Sequence, residues 1–233
     1  MAGWTRWIGL GVIAAGLVGG DQIRLHRPDH KYRLTVEIET PQGVKSASGV
    51  IAVHPNRGYS GSGSEGTKIK GDALVVDAGH GKGIVILLAH GGQPLDFEAI
   101  NYLDMRALHV LGQRVQFREL KSLSASAPVT EGRIPVILAF ADMANPASAR
   151  TLEPEQFEAV MGAGVRLRGM KVETLPPGWW PIDFGGSLGE PVTRTVDTTL
   201  PWWRSAETSA AAALQAAKLA LPEGIAATKA FRR

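Results

Sequence analysis

The chain has no cysteine. That absence removes disulfides, thiolate metal ligands, thiol nucleophiles and a lipid-modified N-terminal cysteine together, and it says nothing of compartment, because a domain of about 200 residues is stable through its core alone. An excess of one charge is missing too. The 25 lysines and arginines stand against 22 aspartates and glutamates, a net charge of +3, and the basic residues are scattered. No stripe exists that could follow a phosphate backbone, so nucleic acid is not an expected partner. There is no G-x-S-x-G elbow and no Walker loop, which removes the two commonest hydrolase signatures, and no cofactor is expected. Long apolar runs are lacking with one exception, at the start.

That exception is residues 7–20 (WIGLGVIAAGLVGG), which follow Arg6 and carry no charge. The length suits the apolar region of a signal peptide and is marginal for a helix crossing roughly 30 Å of hydrocarbon. Val18 and Gly20 are small enough to precede a cleavage site ahead of Asp21, and an uncleaved anchor is equally consistent with the run. Trp4 and Trp7 suit the membrane interface, where an indole buries its ring and keeps its N–H wet. Arg24, Arg27, Lys31 and Arg33 come next. They favour a cytoplasmic body by the positive-inside rule, whereas export signals of this build deliver the downstream domain to the envelope. The reading adopted is an inner-membrane protein whose body faces the periplasm, with membrane lipid as the partner of the N-terminal segment, His26 and His30 included in its juxtamembrane flank.

The organisation expected is a signal-anchor segment and linker over 1–30, a β-rich globular domain over 31–204, and an alanine-rich helix with a basic tail over 205–233. In the body, Tyr32, Leu34, Val36 and Ile38 alternate with Arg33, Thr35, Glu37 and Glu39, the pattern of a strand with one buried face. The sequence Thr40-Pro41-Gln42-Gly43 then predicts a turn and an antiparallel return over 44–53. A glycine-rich loop occupies 56–66. A second hairpin is expected from strand 69–77 through the turn 78–83 to the nearly continuous apolar strand 84–89. Asp96 is placed to cap a helix from Phe97 to Leu111, ended by Gly112. Further strands are expected over 115–120, 135–140, 165–174 and 192–199, with a short helix from Pro154 to Met161 ended by Gly162. Ser205 is expected to cap a helix through Leu221 that carries few large apolar residues and so docks weakly. The fold class is α+β and mainly β, with antiparallel, sandwich-like sheets, two or three helices and the N-terminal anchor or signal helix.

Chemistry has few places to reside. His80 in a turn and His90 at a strand end come closest to a metal constellation, with Asp77 and Asp96 nearby in sequence. The length of the strands between them argues against convergence, and no metal is expected. Asp142 comes after strand 135–140, and Asp104 lies on the first helix; these are the carboxylates to watch if the protein is an enzyme, although an aspartate at Asp142 also suits a turn cap. The aromatic pairs Trp179/Trp180 and Trp202/Trp203, with Phe184, are candidates for a ligand or partner surface, since such side chains anchor interfaces, and equally for core packing.

Several segments taken together, residues 32–43 (YRLTVEIETPQG), Phe140-Ala141-Asp142, Asn145-Pro146-Ala147-Ser148, Glu153-Pro154, Gly162-Ala163-Gly164-Val165 and Leu200-Pro201-Trp202, resemble an uncharacterised proteobacterial envelope-associated protein family. Its members open with a signal-like segment and then this hairpin. The resemblance implies an envelope location and carries no activity, so no catalytic residue transfers with it. Three functions stand as expectations: a membrane-tethered binding or accessory module with an envelope protein or other ligand at the tryptophan loops; a metal-independent hydrolase with a carboxylate-containing cleft; and a structural subunit of a membrane complex.

Overall fold

The structure, a computed structural model, describes residues 27–55, 67–130, 132–178 and 189–233. The N-terminal apolar run, the glycine-rich loop 56–66 and the aromatic segment 179–188 lie outside the described residues. Among the described residues no helix is long and apolar enough to cross a membrane.

One-sided alternation produces the first hairpin. Strand β1 (His30–Thr40) buries Tyr32, Leu34, Val36 and Ile38 and turns Arg33, Thr35, Glu37 and Glu39 outward. It pairs antiparallel with β2 (Gly43–Pro55) in a register that sets Tyr32 opposite Ile51 and Thr40 opposite Gly43. The Thr40 hydroxyl closes the turn, donating to the Gly43 carbonyl at 2.8 Å and accepting from the Gln42 amide at 3.3 Å. Gly43 sits at φ +114°, a conformation that L side chains rarely adopt.

Seven more strands complete two antiparallel sheets: β3 (Thr67–Lys70), β4 (Leu74–Gly79), β5 (Lys82–Ile86), β6 (Ser126–Pro128), β7 (Ile137–Phe140), β8 (Ala149–Thr151) and β9 (Arg166–Leu175). The five-stranded sheet runs β3-β2-β1-β9-β6 and the four-stranded sheet β4-β5-β7-β8. The fold is therefore α+β with antiparallel sheets. The stretch 69–77, expected as one strand, is two strands in different sheets. The break falls at 71–73, where a Cβ on Gly71 would stand 3.0 Å from Cγ1 of Ile51 and where Asp72 is drawn away to partners of its own. The turn between β4 and β5 runs through Gly79, His80 and Gly81, all at positive φ, with the Asp77 carboxylate accepting from the Gly79 amide at 2.7 Å.

β5 and the residues just beyond it, 87–89, separate the two interiors. Ile84, Ile86 and Leu88 point into a core shared with Tyr32, Leu34, Val36 and Ile38 of the other sheet, while Val85, Leu87 and Ala89 point into a second core on the opposite face. A strand buried on both faces reads as a continuous apolar run, which is the pattern of residues 84–89. The first core is covered by α1 (Leu103–Val110), entered through a 3₁₀ turn (Ala99–Tyr102). The helix starts later than the expected Phe97: Asp96 stands two residues ahead of the entry's N-cap, Glu98, and accepts from the amides of Glu98 and Ala99 at 2.7 and 3.1 Å. Gly112, at φ +76°, lies just past its end. The short α2 (Phe157–Met161) likewise stops at Gly162, and it buries Phe157 and Met161.

The second core belongs to the C-terminal part of the chain. α3 (Val196–Thr199) and α4 (Ala206–Ala216) supply Val196, Ala210, Ala213 and Leu214, and Phe231 closes the layer with no exposure. The weak docking expected for the alanine-rich helix is thus overturned. Its small residues let the helix lie close to the sheet, and the segment behind it, exposed over 223–226, returns to bury Ala227, Ala230 and Phe231. The helix is also shorter than expected. It ends with the Lys218 amide donating to the Gln215 carbonyl and the Leu219 amide to the Leu214 carbonyl, with Lys218 at φ +57°, a closure that places one residue in the left-handed region. Ser205 makes no side-chain cap.

Two expected strands are helical. Residues 115–120 give a 3₁₀ turn (Phe117–Ser122), because Glu119 reaches back to the Gln116 amide at 2.9 Å and stabilises its first turn. Residues 192–199 end in α3 because the Asp72 carboxylate takes the amides of Thr195 and Val196 at 2.6 and 3.0 Å, an N-terminal cap supplied from far upstream.

Candidate functional site

Four separated segments, 90–93, 132–137, 151–155 and 217–219, enclose a cleft of about 720 Å³. That lies within the range of roughly 300–1,000 Å³ typical of small-molecule sites. Its wall is apolar at Ile134, Pro135, Leu152 and Leu219, and its charged lining groups are Glu153, Glu155 and Lys218, all three exposed. Thr151 ties two of the walls, donating its hydroxyl hydrogen to the Ala217 carbonyl at 2.9 Å.

His90 is the best-defined polar group of the cleft. Its backbone is fixed by a two-bond bridge to Asp96, N to O at 2.8 Å and back at 3.1 Å. The ring, on a residue only 6% exposed, places Nε2 2.8 Å from the Arg133 carbonyl. A carbonyl oxygen only accepts, so Nε2 carries the hydrogen. Burial, with a smaller contribution from the Arg106 cation, holds the imidazole below its usual proton affinity, against the Arg133 carbonyl and Asp96, which favour the charged form. The ring is therefore neutral near pH 7 and Nδ1 is a bare acceptor. That atom is buried and has no hydrogen-bond partner among the described residues. A buried acceptor left unpaired costs on the order of 1–3 kcal/mol.

The residues singled out from sequence are distributed differently. Trp179, Trp180 and Phe184 lie outside the described residues. Trp202 is core: it is 8% exposed, stacks on Phe140 at 6.2 Å and meets Phe231 edge-on at 5.4 Å, so it is not a contact surface. Trp203 is half-buried beside it under the Arg232 guanidinium, 5.5 Å from the ring centre. Asp142 is exposed and caps the turn before Pro146 by accepting from the Ala144 amide at 2.9 Å. Asp104 is fully buried, its carboxylate 3.1 Å from Nε2 of an equally buried His30 and aligned too poorly for a hydrogen bond. Neither aspartate lines the cleft.

His30 therefore belongs to the interior of the body and not to a lipid-facing flank. Phe117 meets its ring edge-on at 5.0 Å. Nearby, the Tyr32 hydroxyl donates to the Ile100 carbonyl at 2.7 Å. Burial first, and the Asp104 charge second, push the Tyr32 phenol well above its ordinary proton affinity, with Arg233 acting the other way. This cluster is polar packing under α1. His80 is an exposed turn residue, and among the described residues no three of His, Cys, Asp and Glu come together in a way that could hold a metal.

Two features were missed by sequence reasoning. The His90 cleft has walls from four distant segments, so no spacing announces it. The Asp72 carboxylate, fully buried, receives Nε and Nη2 of Arg232 at 2.8 and 2.7 Å and Nη1 of Arg194 at 3.1 Å. Compared with models of known protein families, with curated proteins and with solved structures, the chain finds no match.

Proposed function

We propose that this chain is a ligand-binding module of the cell envelope, carried at the inner membrane by its N-terminal segment with the body facing the periplasm. The observation that supports the binding role is the cleft beside His90, a small-molecule-sized opening walled by four separated segments and lined by apolar and polar groups alike. The location rests on the uncharged run of residues 7–20 and on the resemblance to the proteobacterial envelope family, whose signal-like segment and hairpin it shares. In this reading the two sheets form a sandwich-like body, and the cleft takes over the contact role expected of Trp202 and Trp203. The hydrolase alternative loses its two named carboxylates, since Asp104 is sealed against His30 and Asp142 caps a turn.

The test is native mass spectrometry of the full chain extracted in detergent from its own membranes. A bound small molecule is expected in the wild type and is lost in Gly91→Trp. Gly91 is exposed, lines the cleft, and would accept a Cβ with nothing within 4 Å, so a bulky side chain is added at the opening without a clash at its base. A wild-type protein that carries nothing and gains no thermal stability from a membrane extract contradicts the proposal.

A further inference from the structure

We propose that His90 is an acid-sensitive clamp on the cleft: uncharged, its ring fastens segment 132–137 to the loop after β5, and charged, it lets go. The ring makes the outermost tie between these two walls. The backbone ladder joining them stops with the Val136 amide on the Ala89 carbonyl at 2.9 Å, and beyond it, among the described residues, the contact passes to Nε2 of His90, 2.8 Å from the Arg133 carbonyl. The loop is held separately, by the two backbone bonds between His90 and Asp96, so what the ring governs is the grip on 132–137.

Taking up a proton puts a second N–H on the ring, at Nδ1. That nitrogen is buried and has no hydrogen-bond partner among the described residues, so the charged ring carries a donor that nothing receives. The surrounding charges do not make up for this. Arg106 of α1 opposes a cation at the ring and Asp96 favours one. Arg133, on the accepting segment, carries the same sign as the charged ring, and Glu153, Glu155 and Lys218 at the opening are all exposed and screened by water. Burial remains the largest influence and holds the imidazole below its usual proton affinity.

A charged ring reaches water only by leaving the Arg133 carbonyl, which frees the 132–137 wall. The displaced ring binds its proton with free-imidazole affinity, at about pH 6.5, and the buried ring binds it only at lower pH. The open form therefore gains weight as the pH falls below about 6.5, by up to tenfold per pH unit, until the pH passes the value of the buried ring. That acid thereby loosens the hold on a ligand rests on the binding role proposed above; the opening is a property of the protein alone.

The test is hydrogen–deuterium exchange of the full chain in detergent at pH 7.5 and pH 5.5, with no ligand added and with rates corrected for the chemical pH dependence of amide exchange. The opening of 90–93 and 132–137 is expected to rise by up to roughly tenfold at the lower pH, while β1 and β2 change far less. His90→Gln keeps an N–H for the Arg133 carbonyl and cannot take a charge, so the rise is expected to vanish. Should that variant fail to fold, Arg106→Gln decides: it removes a cation that opposes the charged ring and is expected to lower the rise by roughly twofold. No rise in the wild type, a rise of equal size in His90→Gln, or one as large or larger in Arg106→Gln overturns the clamp. A cleft that binds nothing leaves these exchange results as expected, and an acid-insensitive wall leaves the binding test as it stands, so the two readings fail separately.

Discussion

Asp72→Ala is expected to destabilise the protein by about 3 kcal/mol, the lower end of the cost of breaking a buried ion pair, because both guanidinium partners reach solvent. The Asp72 side chain has no exposure, whereas those of Arg232 and Arg194 are 30% and 42% exposed. Deleting the carboxylate leaves Arg232 with Asp197 and Arg194 with the Gly71 and Arg233 carbonyls as remaining partners, and uncaps the amides of Thr195 and Val196 at once. For a chain of this length the melting temperature should fall by roughly 6–12 °C. The effect also has a pH signature. Burial alone would raise the Asp72 carboxyl, but Arg232, the Val196 amide and Arg194 outweigh it and hold it below the ordinary carboxylate value. A depressed carboxyl gives its full stabilisation above the unfolded value of about 4 and loses it as the pH drops through the lower folded value. Wild type and variant should therefore differ most at neutral pH and converge in acid. Denaturant unfolding from pH 7 down to pH 2 measures both, and a difference that stays constant or grows in acid contradicts the assignment.

Phe231→Ala should cost on the order of 3–5 kcal/mol, the usual penalty for emptying a buried phenylalanine site. The ring has no exposure and packs against Trp202 at 5.4 Å and Trp203 at 6.2 Å. Its backbone joins the same layer, since the Ala73 amide donates to its carbonyl at 2.7 Å and the Leu88 amide to that of Ala230 at 2.8 Å. The loss is expected to appear first in the second core. Amide exchange at Ala210, Ala213 and Leu214 should accelerate before that of β1 and β2, because the first core keeps its own contacts. A change within about 0.5 kcal/mol, the size seen at ordinary surface positions, would show that the C-terminal residues are not structural.

The contrast between these sites and the first hairpin shows which features a sequence makes legible. Tyr32 to Ile38 alternate because one face of β1 meets the core and the other meets water, and such one-sided burial prints a period of two on the chain. Residues 84–89 are equally readable as a central strand, though their unbroken apolarity also signals the second core that a loosely docked 205–233 leaves out. The failures have a common cause in long-range partners. Residues 192–199 look like a strand until an aspartate far upstream seizes the amides of Thr195 and Val196. Residues 69–77 look continuous because nothing local shows that Gly71 must lie against Ile51. Trp202 sits beside a proline and another tryptophan, a setting that suits a surface loop and a core plug alike. His90 needs segments 132–137, 151–155 and 217–219 around the same cleft to mean more than the end of a strand, and those walls arrive only with the folded chain.

The binding role of the cleft is tested most directly by hydrogen–deuterium exchange on the full chain in detergent, with and without a small-molecule extract of its own membranes. The account predicts added protection concentrated in 90–93, 132–137, 151–155 and 217–219, the four walls of the cleft. Protection confined to other segments, or no protection anywhere, would contradict it.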